Sequence, residues 1–100
     1  MVLMFDLPVT TKPQRKAATA FRHWLLDEGW EMSQFSVYTR WCVGKEQASA
    51  RLRAIARQVP KDGKVHVLTV TDKQFETMAV FRGQTRDRRT RGRAEQLTLF

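Results

Sequence analysis

The order of apolar segments in this 100-residue chain predicts an α+β fold, a ferredoxin-like βαββαβ sandwich with one further short strand. Three observations carry that expectation. An apolar run opens the chain. Two stretches of helical periodicity follow, each closed by a turn signal. Between them lies an alternating segment long enough for two strands and too short for a crossover helix. The composition agrees with a single core: 42% hydrophobic and 28% charged residues, with three Trp and six Phe to supply buried area.

Residues 1–5 are apolar without alternation, the pattern of a strand covered on both faces. Asp6, Leu7 and Pro8 end it, because proline has no N–H for a sheet ladder. Thr10 or Thr11 can cap the next helix, with Pro13 in its first turn. On that helix Ala17, Ala20, Phe21, Trp24, Leu25 and Glu28 form one stripe, with Arg15, Lys16 and Arg22 mostly off it. Gly29 suits the left-handed residue beyond the helix end. The next segment reads as a short strand over 30–34 and a firmer one over 35–42. Phe35, Val37, Thr39 and Trp41 share one face of the latter, and Ser36, Tyr38, Arg40 and Cys42 the other. Gly44 opens a second helix with Ala48, Leu52, Ile55, Ala56 and Val59 as its apolar stripe; Arg51, Arg53 and Arg57 lie mainly off it. Pro60, Lys61, Asp62 and Gly63 form a turn, residues 65–71 a β-branched strand, and residues 77–81 one more short strand.

Two helices cover only one face of such a sheet, yet the first strand is apolar on both. The second face calls for a cover, and a second copy of the chain is the expected one. A small open α/β unit with an extra edge strand is the alternative architecture. It ranks lower because the second and third strand candidates lie too close together for a crossover helix. Residues 1–82 are read as the domain, and residues 83–100 as a flexible basic tail ending in an apolar plug.

The net charge is +8. Residues 1–81 carry twelve Lys/Arg against eight Asp/Glu, and residues 82–100 carry six Arg against Asp87 and Glu95, so half of the excess sits in the tail. Such an excess favours a polyanionic partner. A membrane is not expected, since no apolar run approaches the roughly 20 residues of a spanning helix. A lone Cys42 rules out an intrachain disulfide and suits a cytoplasmic setting.

Asp6 is the candidate for chemistry: a carboxylate at the end of an apolar strand is held rigidly where water and substrate have access. A strand-ending Asp also commonly just caps its loop. One carboxylate is thin for Mg²⁺, but a dimer two-fold can bring two copies together around one ion, with water completing the shell. His23 and His66 lack a second ligand at metal spacing, and Cys42 lacks a partner base. Lys12, Arg15, Lys16 and Arg22, with Arg51, Arg53 and Arg57, can contact phosphates or simply form solvated helix faces. The run Arg82, Arg86, Arg88, Arg89, Arg91 and Arg93 is less ambiguous, because so dense an array of guanidinium forks suits phosphate.

Phe5-Asp6-Leu7-Pro8 after an apolar strand, then Gln34-Phe35-Ser36-Val37-Tyr38, then Val67-Leu68-Thr69-Val70-Thr71-Asp72-Lys73-Gln74-Phe75, is similar to the second CRISPR-associated Cas protein, the small subunit of the spacer-acquisition complex. The resemblance covers roughly residues 1–83. It implies a ferredoxin-like homodimer whose last strand, here 77–81, crosses onto the partner's sheet. It implies that the dimer bridges two dimers of the integrase, the first Cas protein, and holds double-stranded DNA for insertion into the repeat array. Several members are described as metal-dependent nucleases acting on single-stranded RNA or double-stranded DNA. In these the strand-ending aspartate, matching Asp6, binds Mg²⁺ across the two-fold. Phe5 stands where Tyr is common; Arg15 and Lys16 match basic residues early in the first helix; Tyr38 matches a catalytic aromatic after Ser-Val. Met32 stands where some members have an arginine.

Bridging is therefore the expected main function, with hydrolysis at the Asp6 pair as the alternative. A toxin-like or RNA-processing protein of the same fold is a third class that Asp6 alone does not separate. Gln96, Leu97, Leu99 and Phe100 form a short apolar plug suited to docking on the integrase. The same pentapeptide resembles the motif by which bacterial proteins bind the replication sliding clamp.

Overall fold

A computed structural model describes residues 1–83. The elements run β1 (Val2–Asp6), α1 (Lys12–Asp27), β2 (Glu31–Gln34), β3 (Val37–Thr39), α2 (Gly44–Gln58), β4 (Lys64–Leu68) and α3 (Asp72–Glu76). The four strands form one sheet in the order β2-β3-β1-β4, and every neighbouring pair is antiparallel. This is the predicted ferredoxin-like arrangement, with β1 central and the β2–β3 hairpin beside it. Met1–Thr69 is one compact unit; the chain from Val70 onward falls in a second.

Helix α1 begins where Thr11 and Gln14 close a capping box. The Gln14 amide donates to the Thr11 hydroxyl at 3.2 Å, and the Thr11 amide donates back to Gln14 Oε1 at 3.0 Å. The helix ends in a Schellman motif: the Trp30 amide donates to the Leu25 carbonyl and the Gly29 amide to that of Leu26. Gly29 has φ +91°, a backbone conformation that favours glycine, and the Arg40 guanidinium lies where a Cβ would project and would have to move aside for one.

The core gathers Met1, Leu3, Phe5 and Leu7 from the first strand and its exit, Ala18, Phe21 and Leu25 from α1, Ile55 from α2, and Trp30 and Tyr38 from the hairpin. Phe5 stacks on Tyr38, with ring centroids 5.7 Å apart, and meets Phe21 edge-on at 5.6 Å. On β1 only alternate residues are buried. Val2, Met4 and Asp6 point to the opposite face, where Val2 lies between Thr39 and Leu68, and Met4 between Val37 and His66. That face carries no helix of this unit: the doubly apolar strand has one covered side and one open side.

Several expectations are corrected. The third strand is three residues long rather than spanning 35–42, because Phe35 and Ser36 form the hairpin turn and a bulge interrupts the pairing between Met32 and Gln34. The alternation within β3 holds, with Tyr38 on the core face and Val37 and Thr39 on the open face, while Trp41 is exposed beyond the strand. The first-helix stripe is turned, burying Ala18 while Ala20 is exposed; on the second, Ile55 is buried while Leu52 and Ala56 are exposed. Sequence periodicity does not resolve such a rotation when alanines flank the stripe. The fourth strand stops at Leu68, and residues 72–76 instead form α3, nucleated by a Thr71–Gln74 capping box that the alternation of 65–71 obscures. Residues 77–81 are not a strand within the chain: Thr77 caps α3, its amide donating to the Lys73 carbonyl, and nothing after it pairs with a strand among the described residues. A strand exists only with a ladder partner. No described helix is long and apolar enough to cross a membrane.

Candidate nucleic-acid interface

The end of β1 is tied down on both sides. The Phe5 amide donates to the Ser36 carbonyl at 3.1 Å, which ties the β2–β3 turn against the strand end. On the other side, Arg15 Nη1 donates to the Val9 and Thr10 carbonyls, each at 3.2 Å, fastening the β1–α1 loop to the first turn of α1. Between turn and helix lies an open groove of about 420 Å³, with Phe5, Asp6, Arg15, Arg22, Phe35 and Ser36 on its walls. The Arg22 guanidinium reaches across it, 4.6 Å from the Phe35 ring centroid and 5.5 Å from that of Phe5. Asp6 is exposed at the rim, in register with Lys64 on the open face of the sheet.

A family model described as CRISPR associated protein Cas2 matches residues 1–78, a span that includes every strand and the whole groove. The chain belongs to the Cas2 family. It is 52% identical over 86 residues to a CRISPR-associated endoribonuclease Cas2 of Paracidovorax avenae, covering 86% of this chain and 80% of that protein. Proteins of the same name from Flavobacterium psychrophilum and Acidovorax ebreus are each 41% identical over all 100 residues, covering 86% and 98% of their own lengths. The sequence resemblance to the second Cas protein thus holds.

Of the residues singled out by sequence, the fold of this Cas2-family chain brings together Asp6, Arg15 and Arg22. Lys12 and Lys16 are exposed on α1 outside the groove. Tyr38 does not line it: at 1% exposure it lies in the core beneath Phe5, because the short strand turns its face to the helices. Any direct part for Tyr38 in chemistry therefore requires the core to open; in this structure it supports Phe5. Arg82 is exposed in the second unit. Arg86, Arg88, Arg89 and the docking residues Gln96, Leu97, Leu99 and Phe100 lie outside the described residues. Arg51 pairs with Glu28 at 3.5 Å, the one salt bridge among the described residues, so Arg15 and Arg22 line the groove, and Asp6 stands at its rim, with no salt-bridge partner among those residues.

Phe35 and Ser36 were not foreseen as groove residues, since strand alternation placed them on sheet faces. A serine after Gln-Phe is the kind of residue a tight turn uses, and that was the available signal. Among the described residues no three of His, Cys, Asp and Glu come together. Asp6 offers a hard oxygen donor of the kind Mg²⁺ accepts, but a single chain supplies only one, so the donor set fits that ion only if a second copy contributes its own Asp6.

Proposed function

We propose that this chain acts as a homodimer in CRISPR spacer acquisition, bridging dimers of the integrase and holding double-stranded DNA while it is inserted into the repeat array. The observation that carries this reading is the open face of the sheet. Val2, Met4, Val37 and Leu68 present apolar surface that no helix of the same unit covers, and a self-complementary two-fold contact is the ordinary way to bury it. Residues 77–81, unpaired among the described residues, then gain a ladder partner on the edge of the other copy's sheet. Positive charge on α1 and in the tail supplies phosphate contacts that position DNA without reading its sequence. Gln96, Leu97, Leu99 and Phe100 serve as the docking segment, for the integrase or for the sliding clamp. The setting is the cytoplasm.

A second reading, metal-dependent cleavage of RNA or DNA, is favoured by the meeting of Asp6 and Arg15 in one groove and by the endoribonuclease name of the relatives. The two Asp6 carboxylates of a dimer would hold Mg²⁺, which when bound lowers the pKa of a coordinated water. Arg15, fixed by its carbonyl contacts, would offset charge developing on the phosphodiester, while Lys16, outside the groove, would reach only a neighbouring phosphate.

Reconstitution with integrase and a DNA fragment separates the two. Bridging predicts that Met4→Glu, which places a charge on the open face, abolishes dimer formation and integration together, while Asp6→Asn leaves both intact. Loss of integration by Asp6→Asn with the dimer preserved would overturn the bridging account. Mg²⁺-dependent cleavage abolished by Asp6→Asn is the outcome the nuclease reading requires.

A further inference from the structure

We infer that Phe35, held under the Arg22 guanidinium, is a stacking platform that makes the groove beside Asp6 selective for an unpaired nucleotide. This rests on the reading above that the chain binds nucleic acid, and it adds which residues of this chain would hold an unpaired base at this corner.

Phe35 is 74% exposed, an unusual position for a large aromatic ring at the tip of a tight hairpin turn. It is nonetheless not loosely placed. The turn is anchored by the Phe5 amide on the Ser36 carbonyl, and Arg22 lies 4.6 Å from the ring. With so much of it in solvent, the ring keeps surface on which a second flat group can stack. Arg22 is itself constrained: its Nε is buried without a hydrogen-bond partner, and the guanidinium has no carboxylate partner among the described residues. Burying an unpartnered guanidinium N–H is costly, and the contacts with the Phe5 and Phe35 rings offset part of that cost while leaving the cation without an anion. Arg15 presents a second unneutralised guanidinium to the same groove, tethered through Nη1. The volume, about 420 Å³, falls in the range of small-ligand sites.

A flat π-face beside two fixed cations matches a planar base joined to a phosphodiester. Base–aromatic stacking tolerates any base but needs the base free of its neighbours. Within a duplex both faces of each base are already stacked, and a solitary phenyl ring at a groove mouth has nothing to displace them with. The occupant is therefore an unpaired nucleotide, in a single strand or an overhang, with its backbone toward Arg15 and Arg22 and Asp6 at the rim. Ribose and deoxyribose strands share this chemistry.

The test uses the full-length protein in EDTA, so that no strand is cleaved. Ten-nucleotide DNA and RNA strands carry a central 5-iodouracil, and a blunt duplex carries the same base paired. Ultraviolet crosslinking with peptide mapping should place the adduct on Phe35 for the single strands and give none there for the duplex. Phe35→Ala should weaken single-strand affinity on the order of tenfold, leave duplex affinity unchanged, and leave the circular dichroism unchanged because the ring is exposed. Phe35→Trp should retain single-strand binding, and Arg22→Lys, which keeps charge but loses the planar fork, should fall between. Equal DNA and RNA results assign the contact to base and phosphate; an RNA advantage adds the 2′-hydroxyl. An adduct elsewhere, equal crosslinking of the duplex, or undiminished single-strand affinity in Phe35→Ala would overturn the inference. Failure of Asp6-dependent cleavage or of integration would count against the functional readings above and leave this one standing.

Discussion

At the residue scale, the groove depends on the core behind it: Phe5 forms part of its wall and Leu3 lies out of its reach. Leu3 is fully buried at the centre of the sheet, and Phe5 beside it is wedged between Tyr38 and Phe21. Leu3→Ala should cost about 2–5 kcal/mol in urea unfolding, since a central strand packed on a helix collapses poorly around a cavity. Gly29→Ala should cost about 1–3 kcal/mol, because alanine is strained at φ +91° and its Cβ must displace the Arg40 guanidinium. A loss of only a few tenths would mean that the Schellman turn relaxes elsewhere. Asp6 is the residue whose meaning the fold alters most. As the end of a strand it is an exposed carboxylate; as the rim of a groove holding two uncompensated guanidiniums it faces the place where a phosphodiester is drawn in.

At the element scale, the ends of the helices were more legible than their faces. Thr10 or Thr11, Pro13 and Gly29 are recognisable as helix-end residues from the chain alone; of the two threonines Thr11 is the cap, and Gln14 completes its box. Thr11→Ala removes the hydroxyl that accepts the Gln14 amide and should destabilise the Met1–Thr69 unit by about 1 kcal/mol in thermal unfolding. The Thr71–Gln74 box has the same chemistry and was overlooked because it directly follows a β-branched run. Helix α3 is only five residues long, so its cap is a large share of its stability. Thr71→Ala should speed amide exchange across residues 72–76 while leaving the β1–β4 ladder protected; protected amides in α3 would mean that other contacts hold it. The hairpin turn is the other lesson at this scale. Alternation over residues 30–42 was real, but a two-residue turn and a bulge hide within it, and they move Phe35 from a sheet face to the groove mouth.

At the scale of the whole molecule, the open face and the charge excess act together. A dimer formed through Val2, Met4, Val37 and Leu68 should sediment at twice the chain mass, and Met4→Glu should shift it to the monomer. A Met4→Glu chain that remains dimeric would place the interface elsewhere. Duplex binding by the +8 chain should weaken steeply with salt, and ending the chain after residue 83 should flatten that dependence, because five of the six tail arginines are lost. An unchanged slope would assign the phosphate contacts to the folded units alone.

The sequence by itself determined the fold class, the order of strands and helices as far as β4, the basic character and the family, because element order, caps and composition are local properties of the chain. It also located Asp6 at the end of β1 and foresaw that the sheet would have a face in need of a cover. Only the tertiary structure decided which side chains share a corner. Arg22 is sixteen residues from Asp6 and thirteen from Phe35 in the chain, and their meeting follows from how α1 lies against the hairpin turn. Tyr38 and Phe35, three residues apart, are on opposite faces in the alternation itself, but that Tyr38 enters the core and Phe35 stands in a turn at the groove mouth follows from the short strand's pairing and the bulge beside it. Register is a pairing between distant segments, and a single strand's pattern does not contain it.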